Sequence, residues 1–96
     1  MRAFVNDDDG YLDWLAAHQD GFIVNAYVKP TADYLMLHRA TCHTISGKPA
    51  RGDFWTTQGF TKICAASIRE LADWARQETG GSLQPCTFCR PGKRLR

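Results

Sequence analysis

The amino-acid sequence predicts a single α+β domain in which a small antiparallel sheet packs with two helices. Two segments with the apolar spacing of amphipathic helices lie towards the two ends of the chain. Three short segments rich in β-branched and aromatic residues lie between them and are predicted to be strands. At 96 residues the chain has the length of one domain, so we expect residues 1–96 to form one unit.

The first helix is predicted from about Asp9 to His18. Asp8 or Asp9 can cap its N-terminus, and Gly21 is placed to end it. The residues that share its apolar face are Leu12, Leu15 and Ala16.

Two strands are predicted next, at 22–28 and 34–38, and the turn-forming residues 29–33 join them as a hairpin. Residues 39–57 are irregular, because Gly47, Pro49 and Gly52 break any periodicity. A third strand is predicted at 60–65.

The second helix carries the clearest local signal in the chain. Ser67 can accept a hydrogen bond from the backbone N–H three residues on, and Glu70 can reach back to the cap residue. Apolar residues with helical spacing follow, and Gly80 and Gly81 end the helix near Glu78.

Composition places the chain among ordinary globular proteins, with 44% hydrophobic and 23% charged residues. The apolar runs are far shorter than the ~20 residues of a membrane span, so no membrane partner is expected. Three consecutive aspartates, Asp7 to Asp9, stand where a signal peptide would need its apolar stretch. We therefore expect a cytoplasmic protein, in which cysteines serve metal binding or catalysis more often than disulfides.

The strongest single motif is Cys86-x-x-Cys89, whose two thiolates can face one ion. His38-x-x-x-Cys42 supplies a second pair, at the end of a predicted strand and in the following loop. Together the two pairs complete the tetrahedral ligand set of a structural zinc ion. We rank His38, Cys42, Cys86 and Cys89 first as ligands, and zinc as the cofactor that staples the domain.

Other interpretations of the cysteines remain open. A set in which Cys64 or His43 replaces His38 ranks second, although Cys64 in a strand is expected to be a packed thiol. A redox-active pair would begin a helix in a βαβ unit, whereas Cys86 follows a helix. A disulfide, or four unrelated cysteines, would leave no metal site.

No catalytic constellation is recognisable in the sequence. It has no phosphate-binding glycine loop, and the glutamate that zinc deaminases place two residues after a histidine is missing: Ala40 follows His38 and Ile45 follows His43 at that spacing. Four protein ligands would also leave no coordination position for water. We therefore expect a structural site and no enzymatic activity.

The ligand motifs resemble those of the N-terminal metal-binding domain of bacterial Ada, the methylphosphotriester DNA repair protein. The distal element stands here as Pro85-Cys86-Thr87-Phe88-Cys89-Arg90-Pro91, and the likeness covers residues 34–92. The resemblance implies a zinc scaffold and contact with DNA. His38 stands where that family has its methyl-accepting cysteine, and the segment between the pairs is longer, so methyl transfer is not implied.

Two functions are predicted from these features. The first is nucleic-acid binding by an accessory or stand-alone module of a DNA repair, restriction or modification system. Residues 1–33 contain six acidic and two basic side chains, and residues 34–96 contain four acidic and ten basic ones. The expected contacts to phosphates and bases are Arg39, Lys48, Arg51, Trp55, Arg90, Lys93 and Arg94.

The second function is a zinc-stabilised protein-interaction module that binds no nucleic acid. Its expected surface is the acidic first helix with Tyr11 and Trp14, which would repel DNA and suit a protein partner. A core position for Trp14 is the competing interpretation.

Overall fold

A computed structural model describes residues 1–46, 56 and 59–91 of the chain. It confirms the α+β class, with five strands and three helices among these residues. In chain order the elements are β1 (Arg2–Phe4), α1 (Asp8–Ala17), β2 (Phe22–Tyr27), β3 (Leu35–Arg39), α2 (His43–Ser46), β4 (Phe60–Ala65), α3 (Ile68–Thr79) and β5 (Gln84–Pro85). No helix in the described ranges is long and apolar enough to cross a membrane.

The sheet is mixed, where an antiparallel sheet was predicted. Its strand order is β1-β4-β2-β3-β5, and every neighbouring pair is antiparallel except β3 with β5. The hairpin of β2 and β3 is confirmed, with residues 28–34 as its connection. The short strands β1 and β5, at the two edges, and the four-residue α2 were not predicted.

The caps of the two long helices explain where they begin. The side chain of Asp7, one residue before the predicted cap positions, accepts a hydrogen bond from the backbone N–H of Gly10 at 2.9 Å and starts α1. Ser67 caps α3 as predicted, accepting from the backbone N–H of Glu70 at 3.3 Å. Gly80, with φ of +72°, ends α3 in the left-handed conformation that glycine adopts without strain.

The sheet separates two apolar clusters, one beneath each long helix. Because side chains alternate along a strand, Ile63 and Cys64 of β4 point to opposite faces. Ile63 packs with Leu71 and other residues of the α3 face. Cys64 packs with Tyr11, Leu15 and others of the α1 face, and this second cluster extends to Cys42 and Cys86. The ligand cysteines thus lie at the border of the core under α1.

The parallel pairing of β3 with β5 decides where the two ligand motifs meet. Leu37 lies opposite Pro85, and the backbone N–H of Cys86 donates to the carbonyl of Leu37 at 2.9 Å. In parallel strands the carboxyl ends share one edge of the sheet. The chain that follows β3 and the chain that follows β5 therefore leave the sheet side by side.

Candidate metal centre

His38, Cys42, Cys86 and Cys89 form one cluster at this edge. Each residue offers one ligand atom, and these atoms all lie within 4.8 Å of one another. The Sγ atoms of Cys42 and Cys86 are 4.0 Å apart, and all four cysteines of the chain are free thiols. The structure thus brings together the four residues ranked first as ligands, close enough to hold one metal ion.

Local backbone geometry delivers each ligand. His38 projects from β3, and a turn closed by the backbone N–H of Cys42 on the carbonyl of Arg39, at 3.0 Å, carries the chain to the second ligand. Cys86 continues the ladder of β5. The backbone N–H of Arg90 donates to the carbonyl of Cys86 at 3.0 Å, and this knuckle turn brings Cys89 back towards Cys86.

The donor set fits zinc. Three sulfurs and one imidazole are ligands that Zn²⁺ takes in closed tetrahedral sites. At Zn–S distances of ~2.3 Å, the edge of a tetrahedron is about 3.8 Å, close to the separation of Cys42 and Cys86. Four protein ligands fill such a sphere and leave no position for an activated water, so the arrangement suits a structural ion.

Burial shields most of the site from solvent. His38, Cys42 and Cys86 are buried, and Cys89 is half-buried. Burial, with a smaller contribution from the charge of Lys62, lowers the pKa of His38 from 6.5 to about 4. The imidazole is therefore neutral at pH 7, which is the form that binds a metal.

Hydrogen bonds surround the three sulfurs. The hydroxyl of Thr44 lies 3.0 Å from the Cys42 sulfur, and the backbone N–H of Arg39 donates to the Cys89 sulfur at 3.2 Å. Burial acts to raise the pKa of Cys86, but hydrogen bonding from the backbone of Cys89 and Phe88 and from the side chains of Cys42 and Cys89 together outweighs it, and the net pKa is lowered. Burial raises the pKa of Cys89 to about 12. Metal binding would displace that proton.

The Arg39 side chain holds the knuckle in place. Its Nε donates to the carbonyl of Cys89 at 2.8 Å, and its Nη2 donates to the carbonyl of Arg90 at 3.0 Å. Arg39 was expected at a nucleic-acid surface. In the structure its guanidinium binds the protein's own backbone beside the metal ligands, which is the supporting contact that metal sites commonly use.

The competing ligands lie elsewhere. Cys64 is fully buried and separated from His38 by strand β2, which puts it about 10 Å away across the sheet. Burial raises its pKa to about 12, as expected for a packed thiol. His43 is exposed and its ring contacts Phe88 edge-on, whereas His18 stacks on Trp14.

Of the residues predicted to contact nucleic acid, the structure describes two. Arg90 is exposed and directly follows Cys89. Arg39 is half-buried in the contacts given above. The others lie outside the described residues: Lys48, Arg51, Trp55, Lys93 and Arg94.

The two aromatic residues expected on a protein-interaction surface are buried. Tyr11 is fully buried, and its hydroxyl donates to the carbonyl of Ile45 at 2.7 Å. Trp14 is also buried, in the cluster beneath α1. Both complete the core of this small domain, so they offer no exposed aromatic patch on the acidic helix.

Two residues of the site were not predicted. Phe88, between the knuckle cysteines, is 71% exposed, and the ring of His43 lies 5.5 Å from it at an interplanar angle of 77°. The signal for Phe88 was its place inside Cys86-x-x-Cys89, where both cysteines turn towards the ligand cluster and the two residues between them are exposed. Thr44 left no comparable signal.

No protein-family model, curated protein or solved structure matches the chain.

Proposed function

We propose that the chain is a small structural-zinc module that binds nucleic acid. The observation that carries this proposal is the charge of the two sequence segments that contain the ligand pairs. Residues 34–52 and 79–96 contain no aspartate or glutamate. They carry seven of the chain's twelve basic side chains: Arg39, Lys48, Arg51, Arg90, Lys93, Arg94 and Arg96.

A polyanion is the partner that this charge distribution fits. A zinc ion with three thiolates and a neutral imidazole has a net charge of −1, so the centre cancels little of the positive charge around it. The acidic residues are concentrated in the first 33 residues and in α3. A surface with one sign of charge attracts phosphates and releases their counterions on binding.

The metal would set the shape of this surface rather than react. When bound, zinc supplies a fixed point that ties the end of β3 to the knuckle after β5. The guanidinium of Arg39 then orients the knuckle by donating to the backbone carbonyls of Cys89 and Arg90. This arrangement leaves the Arg90 side chain exposed beside the metal centre.

We also propose an Ada-like scaffold in an accessory role, in DNA repair, restriction or modification. Support comes from the strand-borne pair and the distal Pro85-Cys86-x-x-Cys89-Arg90-Pro91 element, whose ligands lie at one point. His38 offers an imidazole where methyl transfer needs a thiolate nucleophile, so the proposed role is binding. The cytoplasm, where thiols stay reduced, suits a centre with three of them.

Salt-dependent binding to oligonucleotides tests the proposal. Fluorescence anisotropy with labelled single-stranded and duplex probes is expected to show affinity falling steeply from about 50 mM to about 200 mM salt. The double variant Arg90→Ala/Lys93→Ala should lower the slope of log K against log salt by roughly 1–2. A matched double variant of exposed bases elsewhere, Lys29→Ala/Arg69→Ala, should leave it unchanged.

Two results would count against nucleic-acid binding. One is an affinity that stays flat over this salt range, because phosphate contacts would then be absent. The other is an equal effect of the two double variants, which would mean that net charge alone acts. Capture of one defined protein, with no shift of any oligonucleotide, would instead support the protein-interaction alternative.

A further inference from the structure

Phe88 is an exposed aromatic side chain next to the metal centre. At 71% exposure it is more open to solvent than any other large hydrophobic side chain of the described residues. The turn from Cys86 to Arg90, closed by the Arg90 N–H on the Cys86 carbonyl at 3.0 Å, fixes the chain on either side of Phe88. The knuckle therefore holds the phenyl ring outwards on a rigid base.

Two contacts restrict this part of the surface further. The exposed ring of His43 meets the phenyl ring edge-on, an arrangement that favours one ring orientation. Arg39 ties down the carbonyls of Cys89 and Arg90, immediately after Phe88. A ring that is already ordered loses little conformational entropy when it binds a flat partner.

The charge around Phe88 selects what that flat partner is. Arg90, two residues on, is exposed, and no acidic residue occurs between positions 79 and 96. An aromatic ring next to an exposed cation, in a sequence segment without acidic residues, matches a nucleobase flanked by phosphates.

The helices argue for a single strand over a duplex. Reading a duplex commonly places a helix with basic side chains in the major groove. Here α1 carries Asp8, Asp9 and Asp13 with no basic residue, and α3 has three acidic residues against two basic ones. The third described helix, α2, has only four residues. Bases within a duplex also keep their faces stacked, so stacking on Phe88 costs less for an unpaired base.

We propose that Phe88 stacks on an unpaired base of a single-stranded nucleic acid, with Arg90 on a neighbouring phosphate. This inference rests on the proposed function and names its ligand. Stacking on a phenyl ring is open to every base, so the site tolerates sequence and accepts DNA or RNA.

The test compares Phe88→Ala with the wild type on single strands of about 12 nucleotides, oligo(dT) and oligo(U), and on a duplex of the same length. Phe88→Ala is expected to weaken single-strand binding about 5- to 150-fold, while Phe88→Trp retains it. The matched control is Tyr27→Ala, which removes an exposed aromatic ring at the opposite end of β2. Metal content is measured for every variant, so that loss of the fold is recognised.

A second readout reports stacking itself. The single strands should quench the fluorescence of the Phe88→Trp variant beyond any change seen in the wild type. Preference for the duplex, or undiminished single-strand binding by metal-loaded Phe88→Ala, would overturn the inference while leaving the proposed function intact. If none of the probes binds, the proposed function is overturned instead.

Discussion

Removing the Arg39 side chain should weaken metal binding without removing a ligand. Arg39→Ala deletes the hydrogen bonds to the carbonyls of Cys89 and Arg90, at 2.8 and 3.0 Å. The backbone N–H of residue 39 still donates to the Cys89 sulfur, since that contact needs no side chain. The knuckle therefore keeps its ligands and loses the contacts that orient it.

The expected magnitude follows from these two bonds. A hydrogen bond from a charged donor contributes about 1.5–3 kcal/mol, and less where the pair is exposed. The bond to Cys89 is partly buried and the bond to Arg90 is exposed, so we expect about 2 kcal/mol in total. Because metal binding and ordering of the knuckle are coupled, this corresponds to an increase of about 30-fold in the metal Kd.

Competition titration against a chromophoric zinc chelator measures that change. Arg39→Lys is the matched variant: it keeps the charge but lacks the planar fork that spans two carbonyls, so it should recover only part of the affinity. Unchanged metal affinity in Arg39→Ala, together with weaker nucleic-acid binding, would refute this account. It would place the guanidinium on the phosphates, as the sequence alone suggested.

Three further predictions concern the core, the pH dependence and the knuckle turn. Cys64→Ala should cost about 1 kcal/mol in chemical denaturation yet keep its metal, and a loss of metal would make Cys64 a ligand. Burial lowers the pKa of Lys62 from 10.5 to about 8, so between these values the unfolded chain binds the proton and the folded protein does not. Stability relative to Lys62→Met should therefore rise by up to about 3 kcal/mol from pH 8 to 10.5, whereas a constant difference would place the lysine in solvent. Arg90 has φ of +48°, which costs a non-glycine residue about 1 kcal/mol. Arg90→Gly should thus match or exceed the wild type in melting temperature and bind nucleic acid more weakly. A lower melting temperature would contradict the inference that the backbone of Arg90 is strained.

Elements with their own periodicity and caps could be predicted from the sequence. Strand β4 and helix α3 match the predicted bounds closely, since the β-propensity of residues 60–65 and the Ser67 cap are local signals. Strands β1 and β5 have three and two residues, and β5 includes a proline. Such segments carry no periodicity and form only because an edge of the sheet is there to pair with.

The candidate site divides in the same way. The four residues of the cluster could be predicted because their chemistry and spacing are visible in the chain. The parallel register of β3 with β5 and the Arg39 contacts depend on tertiary pairing, about fifty residues apart in sequence. For that reason Arg39 was expected at a nucleic-acid surface, and the exposure of Phe88 became evident only once its flanking cysteines were placed.

Metal stoichiometry tests the central claim most directly. Plasma mass spectrometry on untagged protein purified under reducing conditions should find one zinc per chain. That metal should be lost in His38→Ala and in Cys89→Ala and retained in Cys64→Ala. Well-folded wild-type protein without metal, or metal retained when His38 or Cys89 is replaced, would contradict the account of a zinc centre held by His38, Cys42, Cys86 and Cys89.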